Sequence, residues 1–221
     1  MIRVMLVDDQ EMIRVGLRTM LDAHQDIEVA AEAGDGLLAL RLLETTPVDV
    51  VLMDIRMPGI DGVETTRRIR RAYPPGQVRI IVLTTFDHDE NVFAALRAGA
   101  NGFLGKGVGP AELTGAILEV AAGGGALTPA AAAALISHVA SDPGFRAEPE
   151  IVRLFEALTP REREIVEAIV SGLDNTQIAE QMYVSPFTVK THANRAMTKV
   201  GARDRAQLVT LAFRAGIRPP Q

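Results

Sequence analysis

The chain contains no cysteine, which excludes disulfide frameworks and thiolate metal centres and agrees with a reducing compartment. It also has no apolar run near the roughly 20 residues that a membrane-spanning helix needs. The opening Met1-Ile2-Arg3-Val4-Met5-Leu6-Val7 runs at once into two aspartates. It lacks the cationic start and long apolar core of a secretory leader, so a cytoplasmic location without membrane association is expected. Lysine is scarce: Lys106, Lys190 and Lys199 are the three among 23 basic residues. A Walker-type loop is missing too, because Gly105-Lys106-Gly107 does not have the phosphate-cradling spacing. What remains, 48% hydrophobic and 23% charged residues over 221 positions, is a globular composition with room for one large or two small domains.

The net charge of −5 argues against a nucleic-acid binder until the chain is divided. Residues 1–150 carry 13 basic and 21 acidic side chains, whereas residues 151–221 carry 10 and 7. An acidic first part joined to a basic second part fits a regulated DNA-binding protein, since only the second part must meet phosphates.

Short apolar runs alternate with amphipathic stretches over the first 120 residues. Strands are predicted at 2–7, 27–31, 48–53, 78–84 and 102–104, with helices at 12–21, 37–44, 63–72, 90–98 and 111–121. Continuous apolar runs such as Val48-Asp49-Val50-Val51-Leu52-Met53 suit strands covered on both faces, so the fold class is α/β, a doubly wound parallel sheet of five βα units. After Gly123-Gly124-Gly125 the pattern changes, and an interdomain linker with a short helix at 129–136 is expected across 123–150. Residues 151–221 read as a small all-α domain of four helices, at 160–171, 176–182, 186–200 and 204–215. Gly172 and Gly201 fall at helix ends, and Ser185-Pro186 is a helix start.

Asp8 and Asp9 follow the first predicted strand, Asp54 ends the third, Thr84 ends the fourth and Lys106 follows the fifth. All occupy strand carboxyl ends, the edge where a doubly wound sheet forms its ligand crevice, so the five are expected to converge. Three carboxylates together resist ionisation unless a cation neutralises them, and oxygen ligation suits Mg²⁺. In such a site Asp54 can attack a phosphoryl group to form an acyl phosphate, with Lys106 and Thr84 on the new oxygens. For Asp9 alone, capping the next helix is an equal alternative. For the whole set it leaves Lys106 and the aspartate pair unexplained.

At Val7-Asp8-Asp9, Met53-Asp54-Ile55-Arg56-Met57-Pro58-Gly59-Ile60-Asp61-Gly62, Leu83-Thr84-Thr85 and Gly102-Phe103-Leu104-Gly105-Lys106 the chain resembles the response-regulator receiver family over about residues 2–122, which implies a receiver domain at 1–122. The resemblance implies a flavodoxin-like fold and phosphorylation of Asp54 by a sensor histidine kinase. It implies Mg²⁺ held by Asp8, Asp9, Asp54 and the carbonyl of Arg56, and a switch pair of Thr84 and Phe103. Arg56 and Phe86 stand where family members vary. Gly107 follows Lys106 where many members have proline, a departure at the site loop.

In the predicted helix 186–200, Val189, Ala193, Ala196, Met197 and Val200 share one face, leaving Lys190, Thr191, Asn194, Arg195 and Thr198 turned elsewhere. With the helix at 176–182 and the turn Tyr183-Val184-Ser185 before it, this is a helix-turn-helix pattern. Lys190, Thr191 and Asn194 are the expected base-edge contacts, and Thr188, Arg195 and Lys199 the expected backbone contacts. A solvated basic face is the alternative for such a helix in isolation. His192 reads as a packing or backbone-bonding residue, and Phe187 as either a hydrophobic staple or a partner contact.

Leu158-Thr159-Pro160-Arg161-Glu162, Asn175-Thr176-Gln177-Ile178-Ala179, Ser185-Pro186-Phe187-Thr188-Val189-Lys190-Thr191-His192 and Lys199-Val200-Gly201-Ala202 resemble the LuxR-type DNA-binding domain. With the receiver, the whole is similar to a NarL/FixJ-type response regulator. The similarity implies a non-enzymatic transcription regulator in which phosphorylation controls homodimerisation and DNA binding. A Mg²⁺-dependent phosphohydrolase is the rival from another class, but it leaves residues 151–221 without a purpose. A second rival is a DNA binder indifferent to phosphorylation.

Overall fold

The computed structural model describes residues 1–84, 90–123, 126–127 and 147–218. The expected helix at 129–136 and Phe86 lie outside the described residues. The chain divides into two compact units, Met1–Ala126 and Leu127–Gln221.

The first unit runs β1 (Ile2–Val7), α1 (Glu11–Asp22), β2 (Ile27–Ala33), α2 (Gly36–Thr45), β3 (Val50–Asp54), α3 (Gly62–Ala72), β4 (Arg79–Thr84), α4 (Glu90–Ala98), β5 (Gly102–Gly105) and α5 (Pro110–Ala121). The five expected strands pair in parallel in the order β2-β1-β3-β4-β5, and a two-residue strand, β6 (Ala126–Leu127), adds a sixth beside β5. From β1 the chain passes to β2 on one side and later to β3 on the other, so a topological switch point lies between β1 and β3. Alternation along the strands sends Val4, Leu6, Val50, Leu52, Ile81 and Leu83 to one face, against Leu17 and Leu21 of α1 and Leu113, Ile117 and Val120 of α5. The intervening residues Met5, Val51, Met53, Ile80 and Val82 are also buried and by the strand period point the opposite way. This two-sided cover explains the unbroken apolar runs.

Two side-chain devices fix the loops of this unit. Asp61 caps α3 by accepting from the Glu64 N–H at 2.7 Å, and the Gly62 N–H donates to the Ile55 carbonyl at 2.9 Å. A Cβ on Gly62 would stand 2.1 Å from the Asp54 carbonyl oxygen, so only glycine lets α3 start this close to the end of β3. Farther along α3, Arg70 donates to the carbonyls of Gly99 and Val78 and to Asn101 Oδ1, at 2.8, 2.7 and 2.7 Å. Asn101 Oδ1 also accepts from the Ile80 N–H at 2.8 Å, which ties the entry of β5 to β4.

The second unit holds the four expected helices as α7 (Pro160–Val170), α8 (Asn175–Met182), α9 (Pro186–Val200) and α10 (Arg205–Arg214), and adds α6 (Pro149–Glu156). α6 carries Ile151, Val152, Leu154 and Phe155 on a short amphipathic stretch but lacks a side-chain N-cap, so tertiary packing stabilises it. It packs on α9 and α10, buries Phe155, and is anchored where Arg214 donates to both carboxylate oxygens of Glu148 at 2.8 and 2.6 Å. The next helices carry their own start signals: Thr159 and Glu162 form one capping box and Asp174 and Gln177 another, while Ser185 and Asp204 cap α9 and α10. Each such cap contributes about 1 kcal/mol. Gly201 closes α9 at φ +74, the left-handed conformation that glycine adopts without penalty. Among the described residues no helix is long and apolar enough to cross a membrane.

The Gly62 contact carries a direct expectation. Gly62→Ala is expected to lower stability by about 1–3 kcal/mol through overpacking against the Asp54 backbone. Urea unfolding of the full chain measures this, and an unchanged midpoint would show that α3 can withdraw freely from β3.

Candidate functional site

The parallel sheet delivers Asp8 and Asp9 from the end of β1, Asp54 from the end of β3, Thr84 from the end of β4 and Lys106 from just beyond β5 to one edge. A ligand oxygen of each of the three aspartates lies within 4.8 Å of the others. Asp8 and Asp54 are buried and Asp9 is exposed. Lys106 Nζ sits between the two buried carboxylates, 2.7 Å from Asp8 Oδ2 and 3.0 Å from Asp54 Oδ1, with its side chain only 7% exposed. Burial works against the Lys106 ammonium, but its hydrogen bonds with Asp8 and Asp54 and their charges outweigh it and hold its pKa above the ordinary lysine value. Burial pushes the Asp54 carboxyl above the usual aspartate range, and the charge of Asp8 adds to that. Lys106 and the Arg56 N–H act in the opposite direction.

Capping does not account for Asp9. The N-cap of α1 is Gln10, which makes no side-chain cap bond, and the carboxylate that turns back on the loop belongs to Asp8, whose Oδ1 accepts from the Gln10 N–H at 2.9 Å. Arg14 of α1 also donates to the Asp8 carbonyl at 2.7 Å. Beside the aspartates opens a cleft of about 460 Å³ lined by Asp9, Ile55, Arg56, Met57, Pro58 and Asp61. Asp61 had no assigned role in the sequence reading; the fold makes it both the α3 cap and a wall of this cleft. Thr84 and Phe103 are both buried, 2% and 1% exposed.

In the second unit α9 packs on α7 and α8 through the buried side chains Val189, Ala193, Ala196 and Val200, with Met197 half-buried. Lys190, Asn194 and Arg195 are exposed on the opposite side, and Thr188 and Thr191 are half-exposed. Thr191 Oγ1 donates to the Phe187 carbonyl at 2.9 Å, so outward it offers a lone pair and a methyl group. Before α9, Asp174 accepts from the Thr176 and Gln177 N–H groups at 2.8 Å each, and Tyr183 ends α8 in the left-handed region at φ 53.

Lys199 is placed differently from the other basic residues expected at this surface. Its ammonium lies 2.6 Å from Glu162 Oε2 and also donates to the Ala157 carbonyl at 3.3 Å. Glu162 is 3% exposed, and its other role is the capping box with Thr159. The charge of Lys199 therefore joins the last turn of α9 to the first turn of α7. The spacing of 37 residues between the partners hid this pairing from any reading of local pattern. Phe187, at the second position of α9, is 78% exposed and does not serve as a staple.

The family model described as response regulator receiver domain matches residues 4–118, and that described as bacterial regulatory proteins, luxR family, matches residues 156–212. The chain is 42% identical over 218 residues to the uncharacterized transcriptional regulatory protein YxjL of Bacillus subtilis (strain 168), covering 98% of this chain and 97% of that protein. It is 39% identical over 214 residues to the transcriptional regulatory protein LiaR of the same organism, covering 97% and 98%. Among solved structures, the response regulator ChrA of a heme-sensing two-component system is similar with a TM-score of 0.54 and 36% identity, covering 98% of each chain.

The Glu162 to Lys199 pair makes stability of the second unit dependent on pH. The Lys199 hydrogen bond, with the Thr159 backbone N–H, holds the Glu162 carboxyl below its ordinary range. A carboxyl depressed by folding stabilises fully above its unfolded pKa of about 4.3 and loses that contribution as pH falls through the lower folded value. Glu162→Gln is expected to destabilise at neutral pH and to flatten the acid limb of the stability profile below about pH 4.3. Urea unfolding from pH 7 to 3 tests this, and parallel profiles for both proteins would contradict it.

Proposed function

Because the chain belongs to the response regulators that join a receiver domain to a LuxR-type DNA-binding domain, we propose that a sensor histidine kinase phosphorylates Asp54 and thereby controls homodimerisation and sequence-specific DNA binding. Such proteins are transcriptional regulators in two-component systems and not enzymes. The observation that carries the proposal is the buried Lys106 ammonium clasped by Asp8 and Asp54 beside the exposed Asp9.

Asp54 is the nucleophile. A carboxylate oxygen attacks phosphorus, an O–P bond forms, and the N–P bond of the donor phosphohistidine breaks with its electron pair returning to the imidazole. Lys106, 3.0 Å from Asp54 Oδ1, needs only to reorient to pair with an oxygen of the attached phosphoryl group. Three carboxylates against one ammonium leave excess negative charge, and the donor set is all oxygen, which fits Mg²⁺. Asp8, Asp9, Asp54 and the Arg56 carbonyl would hold the ion, which when bound supplies charge neutralisation for the transferring group. The Thr84 hydroxyl then turns toward the phosphoryl oxygens and Phe103 repacks. Both residues are buried, so this movement reaches the surrounding helices.

We assign residues 1–122 to the receiver and residues from about 148 onward to the DNA-binding domain, with a linker between. This begins the second domain slightly earlier than its sequence pattern, since the Glu148 to Arg214 pair and α6 hold that stretch to it. On α9, Lys190, Thr191 and Asn194 read base edges, while Thr188 and Arg195 meet phosphates. Lys199 serves as the clamp on Glu162.

Two experiments test these assignments. Intact mass and sedimentation with Mg²⁺ and a small phosphoryl donor are expected to show one phosphoryl adduct on the wild type and none on Asp54→Ala, with a shift toward dimer and tighter DNA binding only in the former. Equal adducts would place the phosphate elsewhere, and DNA affinity insensitive to the adduct would favour a phosphorylation-independent binder. Titrated against salt on one duplex, Arg195→Ala is expected to weaken binding to all sequences and to reduce the logarithmic salt slope by about 0.9. Lys190→Ala is instead expected to cost about 1–3 kcal/mol at one base position and relax selectivity there.

A further inference from the structure

α9 exposes an aromatic ring where an apolar group has no business with water. Ser185 is the N-cap, Pro186 the first helical residue and Phe187 the second, and the ring of Phe187 is 78% exposed. The buried face of α9 is already filled by Val189, Ala193, Ala196 and Val200. Phe187 therefore takes no part in the packing of its own domain, and a staple across the N-cap would use Val184 and Val189 by position.

The ring is aligned with the groups assigned to base reading. Phe187, Lys190, Thr191 and Asn194 follow the spacing of three and four residues that makes one stripe on a helix. The hydrogen bond from Thr191 Oγ1 to the Phe187 carbonyl lies along this stripe. Recognition helices meet base edges with their N-terminal residues, and Phe187 is the first side chain of the stripe. A surface that engages Lys190 and Asn194 thus meets Phe187 as well.

A phenyl ring neither donates nor accepts a hydrogen bond, so phosphates and polar base edges offer it nothing. The apolar feature of the major groove is the 5-methyl group of thymine. Cytosine carries only a hydrogen at C5, so it offers the ring no methyl to cover. Resting on the DNA-binding role given above, we infer that Phe187 is a specificity-determining residue that packs on a thymine methyl in each half-site.

The test selects duplexes from a randomised library with the phosphoryl-donor-treated full chain, as wild type and as Phe187→Ala. The expected result is a wild-type motif with a strongly preferred thymine at one position per half-site, and a Phe187→Ala motif that loses this preference and keeps the others. Replacing that thymine by deoxyuridine, which pairs identically but lacks the methyl, is expected to weaken the wild type about fourfold per methyl contact and to leave Phe187→Ala unchanged. Retention of the same thymine by Phe187→Ala, with or without a uniform loss of affinity, overturns the inference and assigns the ring to a protein partner. Failure of the wild type to select any motif instead sinks the DNA-binding reading itself.

Discussion

One buried ammonium holds the functional edge of the first unit together. β1 and β3 end side by side, with β4 and β5 following along the same parallel edge, and with Asp8 and Asp54 at the first two ends their carboxylates meet in a poorly hydrated setting. Lys106 lies within 3.0 Å of both. Removing a single partner from such a buried cluster typically costs about 3–5 kcal/mol, because a charge is left without compensation. The Asp54 carboxyl nevertheless remains above the ordinary aspartate range, since burial outweighs the pull of its partner. The charge of Asp8 adds to this effect, so the single ammonium compensates the paired carboxylates only in part.

The scaffold around this cluster is arranged by contacts that leave little freedom. Gly62 brings the first turn of α3 against the Asp54 carbonyl, and Arg14 reaches from α1 to the Asp8 carbonyl. Backbone at both carboxylates is therefore gripped by a helix on either side of the sheet.

The second unit solves a different problem, the presentation of one helix face. Caps at Thr159, Asp174, Ser185 and Asp204 fix where each helix starts, and the pair Glu162 to Lys199 fixes how α9 lies on α7. Lysine in the last turn of a helix also complements the negative end of its dipole. Charge is thus used inward to hold α9, while Lys190 and Arg195 on the outer face remain available to a polyanion. The acidic first part and basic second part of the chain correspond to these separate uses.

The sequence specified the element order, because hydrophobic period and turn residues are local properties. All five main strands and nine of the ten helices among the described residues were legible in this way. It also determined which chemistry was on offer: Asp8, Asp9, Asp54, Thr84 and Lys106 were identifiable as strand-end residues since parallel topology sends every strand end to one edge. What depends on groups distant in sequence emerged only in the packed chain. α6 is held because it packs on α9 and α10, buries Phe155 and has Glu148 before it paired with Arg214, not because its own residues announce a side-chain cap. Lys199 became a clamp because Glu162, 37 residues away, comes within 2.6 Å of it. Phe187 stood open between staple and contact until its exposure was known, for a helical pattern gives the direction of a side chain but not what, if anything, covers it.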